Sequence, residues 1–125
     1  MAKAIKILCI DDEVMMLNAY KRVFRDESQY SVSVVDKIQE YDLSEALDFD
    51  IIICDQRMPV MLGTEVFNKL NDLGFNGRKI ICSAYADFDD IMNAFNEDVI
   101  DYFLNKTWEN QEVRNLVNSF KLGDA

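Results

Sequence analysis

Five polar side chains in this sequence follow short apolar runs by one or two residues. They are Asp11, Asp12, Asp55, Ser83 and Lys106. Apolar runs of this length and composition are typical of strands buried inside a parallel sheet. Because the carboxyl ends of parallel strands meet at one edge of the sheet, we expect these side chains to converge. Taken singly, each has an ordinary explanation, such as an acidic helix start or a turn residue.

Such a convergence would suit phosphoryl chemistry. Three neighbouring carboxylates repel one another and raise one another's pKa. A hard divalent cation removes that repulsion. Magnesium suits best, because it binds a few carboxylates and keeps water molecules that a phosphate oxygen can replace. A hydroxyl and an ammonium, here Ser83 and Lys106, match the other phosphoryl oxygens. A carboxylate with these neighbours is a reasonable phosphoryl acceptor.

The elements that must position these groups alternate along the chain. The central one is Ile51-Ile52-Ile53-Cys54, a continuous apolar run that stops at Asp55, and Pro59 cannot extend it. The predicted strands cover residues 4–10, 30–35, 51–54, 79–82 and 102–104, and the predicted helices 14–24, 63–73, 87–99 and 110–120. Residues 36–48 are weakly helical, and Asp87 is a candidate helix cap. This alternation predicts an α/β fold, a five-stranded parallel sheet with helices on both faces.

Length and composition limit the possible functions. The chain has 125 residues, enough for one domain over residues 1–125, and a net charge of −10, which argues against direct nucleic-acid contact. Absence of histidine from the sequence excludes histidine acid–base chemistry and most zinc sites. No apolar run is long enough to cross a membrane. Three cysteines lie inside apolar runs without a CxxC pair, so we expect a reducing, cytoplasmic location.

Several motifs together resemble the receiver domain of two-component response regulators, over nearly all of the chain. The matching features are the acidic pair Asp11-Asp12, the segment Asp55-x-x-Met58-Pro59-x-x-x-Gly63, the pair Ser83-Ala84, and Lys106 after the fifth strand. The resemblance implies a flavodoxin-like (βα)5 fold with strand order 2-1-3-4-5. It implies a signalling switch, not an enzyme that acts on an external substrate. Self-phosphorylation from a donor and self-dephosphorylation would be its only reactions.

The resemblance also implies a role for each site residue. Asp55 would accept a phosphoryl group from a sensor histidine kinase or phosphotransfer protein. Asp11, Asp12, Asp55 and the backbone carbonyl of Arg57 would hold Mg²⁺ (or Mn²⁺). Ser83 would hydrogen-bond the phosphoryl group.

Two further roles follow from the same resemblance. Lys106 would pair with the phosphoryl group electrostatically, and Phe103 stands where the family carries its aromatic switch residue. An effector domain or a homodimer would use the face of the fourth helix, fifth strand and fifth helix. We expect the chain to be the N-terminal part of a longer regulator, with a stand-alone domain as the alternative.

Some positions depart from the family pattern. Thr107 replaces the proline that usually follows the lysine, which puts a cis peptide bond there in doubt. The switch aromatic is Phe103 instead of tyrosine. Arg57 and Tyr85 flank the pocket, and their bulk predicts that they restrict attacking water and tune the lifetime of the phosphorylated state.

Three other functions remain as alternatives. A receiver-like module could bind partners without phosphorylation, although the complete set of site residues argues against it. An aspartyl-phosphate phosphatase would need D-x-D after the first strand, which Asp11-Asp12-Glu13 does not match. The third alternative is a flavin-binding protein of similar topology, but Asp11-Asp12-Glu13 after the first strand would repel the phosphate of the flavin.

Overall fold

Strands and helices alternate along most of the chain in the computed structural model, which describes residues 3–84 and 87–120. The strands are β1 (Ile5–Ile10), β2 (Tyr30–Val35), β3 (Ile51–Asp55), β4 (Arg78–Ser83) and β5 (Tyr102–Asn105). The helices are α1 (Val14–Val23), α2 (Gly63–Asp72), α3 (Phe88–Asn96) and α4 (Asn110–Ser119). None of these helices has the length and apolar character that a bilayer crossing requires. The peptide bonds within the described ranges, including Lys106–Thr107, are trans.

The five strands form one parallel sheet in the order β2-β1-β3-β4-β5. This confirms the predicted fold class and strand order. The register aligns Asp55 with Cys82 across β3 and β4, and Ser83 with Asn105 across β4 and β5. The residues that end β3, β4 and β5 therefore lie along the same edge of the sheet.

Burial on both faces explains why β3 lies at the centre. All five of its residues are buried, as its continuous apolar run predicts. Alternate side chains point to opposite faces, so β3 contributes to two separate cores. Ile51 and Ile53 join the core covered by α1 and α4, and Ile52 and Cys54 join the core covered by α2 and α3.

The segment between β2 and β3 differs from the α-helices of the other connections. It forms two 3₁₀ helices, Ile38–Glu40 and Leu43–Asp48. Asp42 lies between them, and its carboxylate accepts a hydrogen bond from the backbone N–H of Ser44 at 3.0 Å. This bond caps the start of the second 3₁₀ helix. Because this connection contains no α-helix, the fourth and fifth helices of the family pattern are α3 and α4 here. The face predicted to bind an effector domain or a second copy is therefore formed by α3, β5 and α4.

Candidate functional site

Asp55 is the last residue of β3 and precedes the loop that leads to α2, and 1% of its surface is exposed. The chain leaves the strand, pairs Arg57 with Leu62 in an antiparallel bridge, and returns at Gly63. A Cβ atom on Gly63 would lie 2.5 Å from the carbonyl oxygen of Asp55 and 2.7 Å from Cδ1 of Ile81. The glycine of the sequence motif is therefore required because the backbone passes directly against the acceptor residue.

Three carboxylates meet at this point. One oxygen each from Asp11, Asp12 and Asp55 lies within 4.8 Å of the other two. Asp11 is completely buried, and its Oδ1 accepts a hydrogen bond from the backbone N–H of Glu13 at 2.9 Å. Its Oδ2 is buried without a hydrogen-bond partner in the described residues. The predicted convergence of the acidic residues is thus found.

Burial controls the electrostatics of these acids. Loss of hydration, and after it the neighbouring Asp55, raise the pKa of Asp11 to about 6, against the opposing effect of the hydrogen bond from the Glu13 N–H. Burial also raises the pKa of Asp55, although the ammonium group of Lys106 opposes that shift. The site therefore concentrates negative charge that one lysine only partly balances.

Lys106 supplies that cation from the end of β5. Its Nζ lies 3.0 Å from Oδ1 of Asp55 and 3.7 Å from Oε1 of Glu13. Burial alone would lower its pKa, but the adjacent carboxylates, Asp55 first, outweigh burial and raise it. The backbone N–H of Lys106 donates to the carbonyl oxygen of Ser83 at 2.9 Å, which fixes the start of the loop against β4.

The residues present fit a hard divalent cation. Carboxylate oxygens are the donors that magnesium and manganese prefer. Oδ2 of Asp11 and both carboxylate oxygens of Asp55 are buried without a hydrogen-bond partner in the described residues, although Oδ1 of Asp55 is in close ionic contact with Lys106. Buried oxygens of this kind cost free energy unless a cation or water satisfies them. The cluster therefore has the chemistry of a metal site.

Ser83 lies at the expected edge, but its hydroxyl is already engaged. The hydroxyl contacts Oδ2 of Asp87 at 2.8 Å and the carbonyl oxygen of Ala84 at 3.0 Å. Oδ1 of Asp87 accepts a hydrogen bond from Nε of Arg57 at 2.6 Å, and the two charged groups form an ion pair. Asp87 is the N-cap residue of α3, as predicted, but its side chain makes no cap hydrogen bond. Its two oxygens bind Ser83 and Arg57 instead.

Phe103 lies on β5 beside an apolar cavity. Its side chain is 37% exposed and stacks on Tyr102 with 6.0 Å between the ring centroids. The cavity has a volume of about 230 Å³, and its lining includes Ser83, Phe88, Ile91 and Phe103. Space therefore exists between the phosphoryl-binding candidate Ser83 and the switch candidate Phe103.

Two contributors to the site were missed from the sequence. Gln56 is buried, and its Oε1 accepts a hydrogen bond from the backbone N–H of Thr64 at 3.0 Å, which anchors the start of α2 beside Asp55. A polar residue directly after a buried strand was the available signal. The sequence indicates Asp87 only as a helix start. Tyr85, the second predicted rate-tuning residue, lies outside the described residues.

Comparisons with known proteins agree with this arrangement. The chain matches the family model described as "Response regulator receiver domain" over residues 7–118. It is 30% identical over 107 residues to the hydrogenase transcriptional regulatory protein HoxA of Bradyrhizobium diazoefficiens, covering 82% of this chain and 21% of that protein. The chain thus spans about a fifth of the length of this relative.

Two further similar proteins are matched over most of their own length. Sporulation initiation phosphotransferase F of Bacillus subtilis is 25% identical over 115 residues, covering 92% of both chains. A crystal structure of a response regulator receiver domain protein from Clostridium thermocellum is 25% identical, with a TM-score of 0.80 and coverage of 94% of this chain and 98% of that one. With the family match, the sheet order and the strand-end acids, these comparisons establish that the chain belongs to the response regulator receiver domain family.

Proposed function

We propose that this chain is a phosphorylation switch whose acceptor is Asp55. The observation that carries the proposal is the buried Asp55 carboxylate, paired with Lys106 at 3.0 Å and adjoining the carboxylates of Asp11 and Asp12. An isolated buried charge would be costly, so a group of this kind at a strand end is a functional candidate. The family match supports the same role.

The proposed reaction transfers a phosphoryl group from a phosphohistidine of a kinase or phosphotransfer protein. One carboxylate oxygen of Asp55 attacks phosphorus and forms a P–O bond, while the P–N bond to the donor imidazole breaks and its electron pair stays on nitrogen. Lys106 remains beside the new acyl phosphate and balances part of its charge. Reaction of water with the acyl phosphate would return the carboxylate and release inorganic phosphate.

A divalent cation belongs to this proposal. Asp11, Asp12, Asp55 and the backbone carbonyl of Arg57 would hold Mg²⁺ (or Mn²⁺). When bound, the cation neutralises charge on the transferring phosphoryl oxygens. The unpartnered oxygens of Asp11 and Asp55 support these ligands.

The output of the switch would pass through Ser83 and Phe103. The added charge on Asp55 recruits the Ser83 hydroxyl, and the 230 Å³ cavity between the two residues gives Phe103 room to turn inward. The face of α3, β5 and α4 would then change for an effector domain, a second copy or another partner. The cysteines at positions 9, 54 and 82 are buried and form no disulfide bonds, which supports a cytoplasmic location for this switch.

Arg57 would tune the lifetime of the phosphorylated state. Its side chain is 66% exposed and pairs with Asp87, and the residue follows Asp55 by two positions, so we expect it to affect how water approaches the acceptor. We expect Arg57→Ala to change the rate of phosphoryl loss, measured by intact mass over time. An unchanged rate would remove Arg57 from this role.

Intact mass after incubation with acetyl phosphate tests the function directly. We expect one added phosphoryl group with magnesium, none with a chelator, and none in Asp55→Asn. Asp72→Asn, which changes an exposed acid on α2, is the matched control and should be phosphorylated like the parent. Failure of the parent to gain mass would overturn the proposal and favour a module that binds its partner without phosphorylation.

A further inference from the structure

Asp87 connects two residues of the proposed switch and is not one of the three clustered acids of the site. It is 3% exposed and stands between β4 and α3. Its Oδ1 binds Nε of Arg57 at 2.6 Å and its Oδ2 binds the hydroxyl of Ser83 at 2.8 Å. Each oxygen of one buried carboxylate therefore holds a different donor.

These bonds compete with the proposed action of Ser83. A serine hydroxyl has a single hydrogen, so it cannot donate to Asp87 and to a phosphoryl group at the same time. Ser83 also has the carbonyl oxygen of Ala84 within 3.0 Å, so nearby acceptors already occupy its hydrogen. A phosphoryl group on Asp55 must take this donor away from Asp87.

Asp87 acts on Arg57 by restricting its position. Its Nε–H donates to Asp87, and because the other four N–H groups of the guanidinium can still contact an anion, this bond restricts where the guanidinium lies. A hydrogen bond between two charged groups in a partly buried position is stronger than a neutral one. Asp87 thus holds the single hydroxyl hydrogen of Ser83 and fixes the position of the Arg57 guanidinium.

We propose that Asp87 is a positioning residue that sets the balance of the switch by holding Ser83 and Arg57 in the resting arrangement. The inference rests on the proposed phosphorylation of Asp55. A carboxylate that binds only the resting state lowers the population of the switched state and so disfavours phosphorylation. Removing it should therefore favour phosphoryl uptake, unlike removal of a residue needed for the reaction.

The main experiment compares initial rates of phosphoryl uptake from acetyl phosphate with magnesium, followed by intact mass. We expect Asp87→Ala to react about tenfold faster than the parent, since one charge-assisted bond to Ser83 no longer has to break. Asp87→Asn keeps one carbonyl oxygen and should fall between the two. Asp90→Ala removes an exposed acid from the first turn of α3 and should react like the parent.

A second comparison separates positioning from a general effect on structure. In a Ser83→Ala background, Asp87→Ala has no serine hydroxyl to release, so its acceleration should shrink to the part due to Arg57. Equal acceleration with and without the Ser83 hydroxyl would overturn the inference. So would an Asp87→Ala rate equal to that of Asp90→Ala.

The resting bonds can be observed without phosphorylation. In the parent, the Arg57 Nε–H should give a protected proton resonance that Asp87→Ala loses. Equally fast exchange in both proteins overturns the inference and leaves the function of Asp55 intact. Conversely, a protected resonance in a parent that takes up no phosphoryl group would overturn the proposed function, and with it the switching role of Asp87.

Discussion

Removing the buried charge of Asp11 should stabilise the metal-free protein. Asp11→Asn keeps an oxygen that can accept the hydrogen bond from the Glu13 N–H and removes the negative charge on the unpartnered Oδ2. Most core substitutions destabilise, so the opposite sign makes this a sharp prediction. The physical cause is that a group without full hydration or a counter-charge favours its neutral form.

The pKa values give the magnitude and its pH dependence. The pKa of Asp11 rises from 3.8 to about 6 on folding. The folded protein therefore holds the proton more tightly, and stability falls as pH rises between these two values. Linkage gives a cost of about 3 kcal/mol at pH 8 and about 1 kcal/mol at pH 4.5. Asp11→Asn should recover roughly those amounts, with the larger gain at pH 8.

Urea unfolding with a chelator at the two pH values measures the difference. Magnesium supplies a second test, because it should stabilise the parent and have little effect on Asp11→Asn. At a concentration about twentyfold above its dissociation constant, the gain for the parent would be about 1.8 kcal/mol. Two results would refute the electrostatic reasoning. One is a metal-free Asp11→Asn protein that is less stable than the parent at pH 8. The other is a change in the free energy of unfolding that is the same at both pH values.

Three further changes test the geometry around the acceptor. Gly63→Ala should destabilise the fold by about 1–3 kcal/mol in urea unfolding, because its Cβ would lie 2.5 Å from the carbonyl oxygen of Asp55. No loss of stability would contradict that close approach. Gln56→Ala should cost about 1–2 kcal/mol by removing the acceptor of the Thr64 N–H, and a chain as stable as the parent would show that this bond is replaced. Lys106→Met should cost about 1–2 kcal/mol at pH 8 without metal, and less once Asp55 is protonated at low pH. A pH-independent loss would point to packing in place of charge.

Strong periodic signals explain which parts of the fold were predictable. The run Ile51–Cys54 is short, continuous and rich in β-branched residues, which favours a strand buried on both faces, and all its residues are buried. Once the strands are parallel, their carboxyl ends share an edge. The meeting of Asp11, Asp12 and Asp55 follows from topology without any knowledge of side-chain contacts.

Weak or distant signals explain the differences. Residues 36–48 give only a weak helical pattern, and the carboxylate of Asp42 accepts a hydrogen bond from the backbone N–H of Ser44, which begins a new turn within the segment. The contact between Arg57 and Asp87 joins positions 30 residues apart. Local patterns assign each of these residues to a loop or a helix start, but they carry no information about the partner.

The 3₁₀ connection between β2 and β3 has a consequence for local opening. Its backbone bonds span only three residues, as in Tyr41 N–H to Ile38 O and Phe49 N–H to Ala46 O, so it lacks the continuous ladder of an α-helix. Side chains such as Ile38 and Ala46 hold it against the sheet. Amide hydrogens there should exchange with solvent through sub-global openings of low free energy, while those of β3 require global unfolding. One side of the sheet would thus open separately from the side covered by α1 and α4.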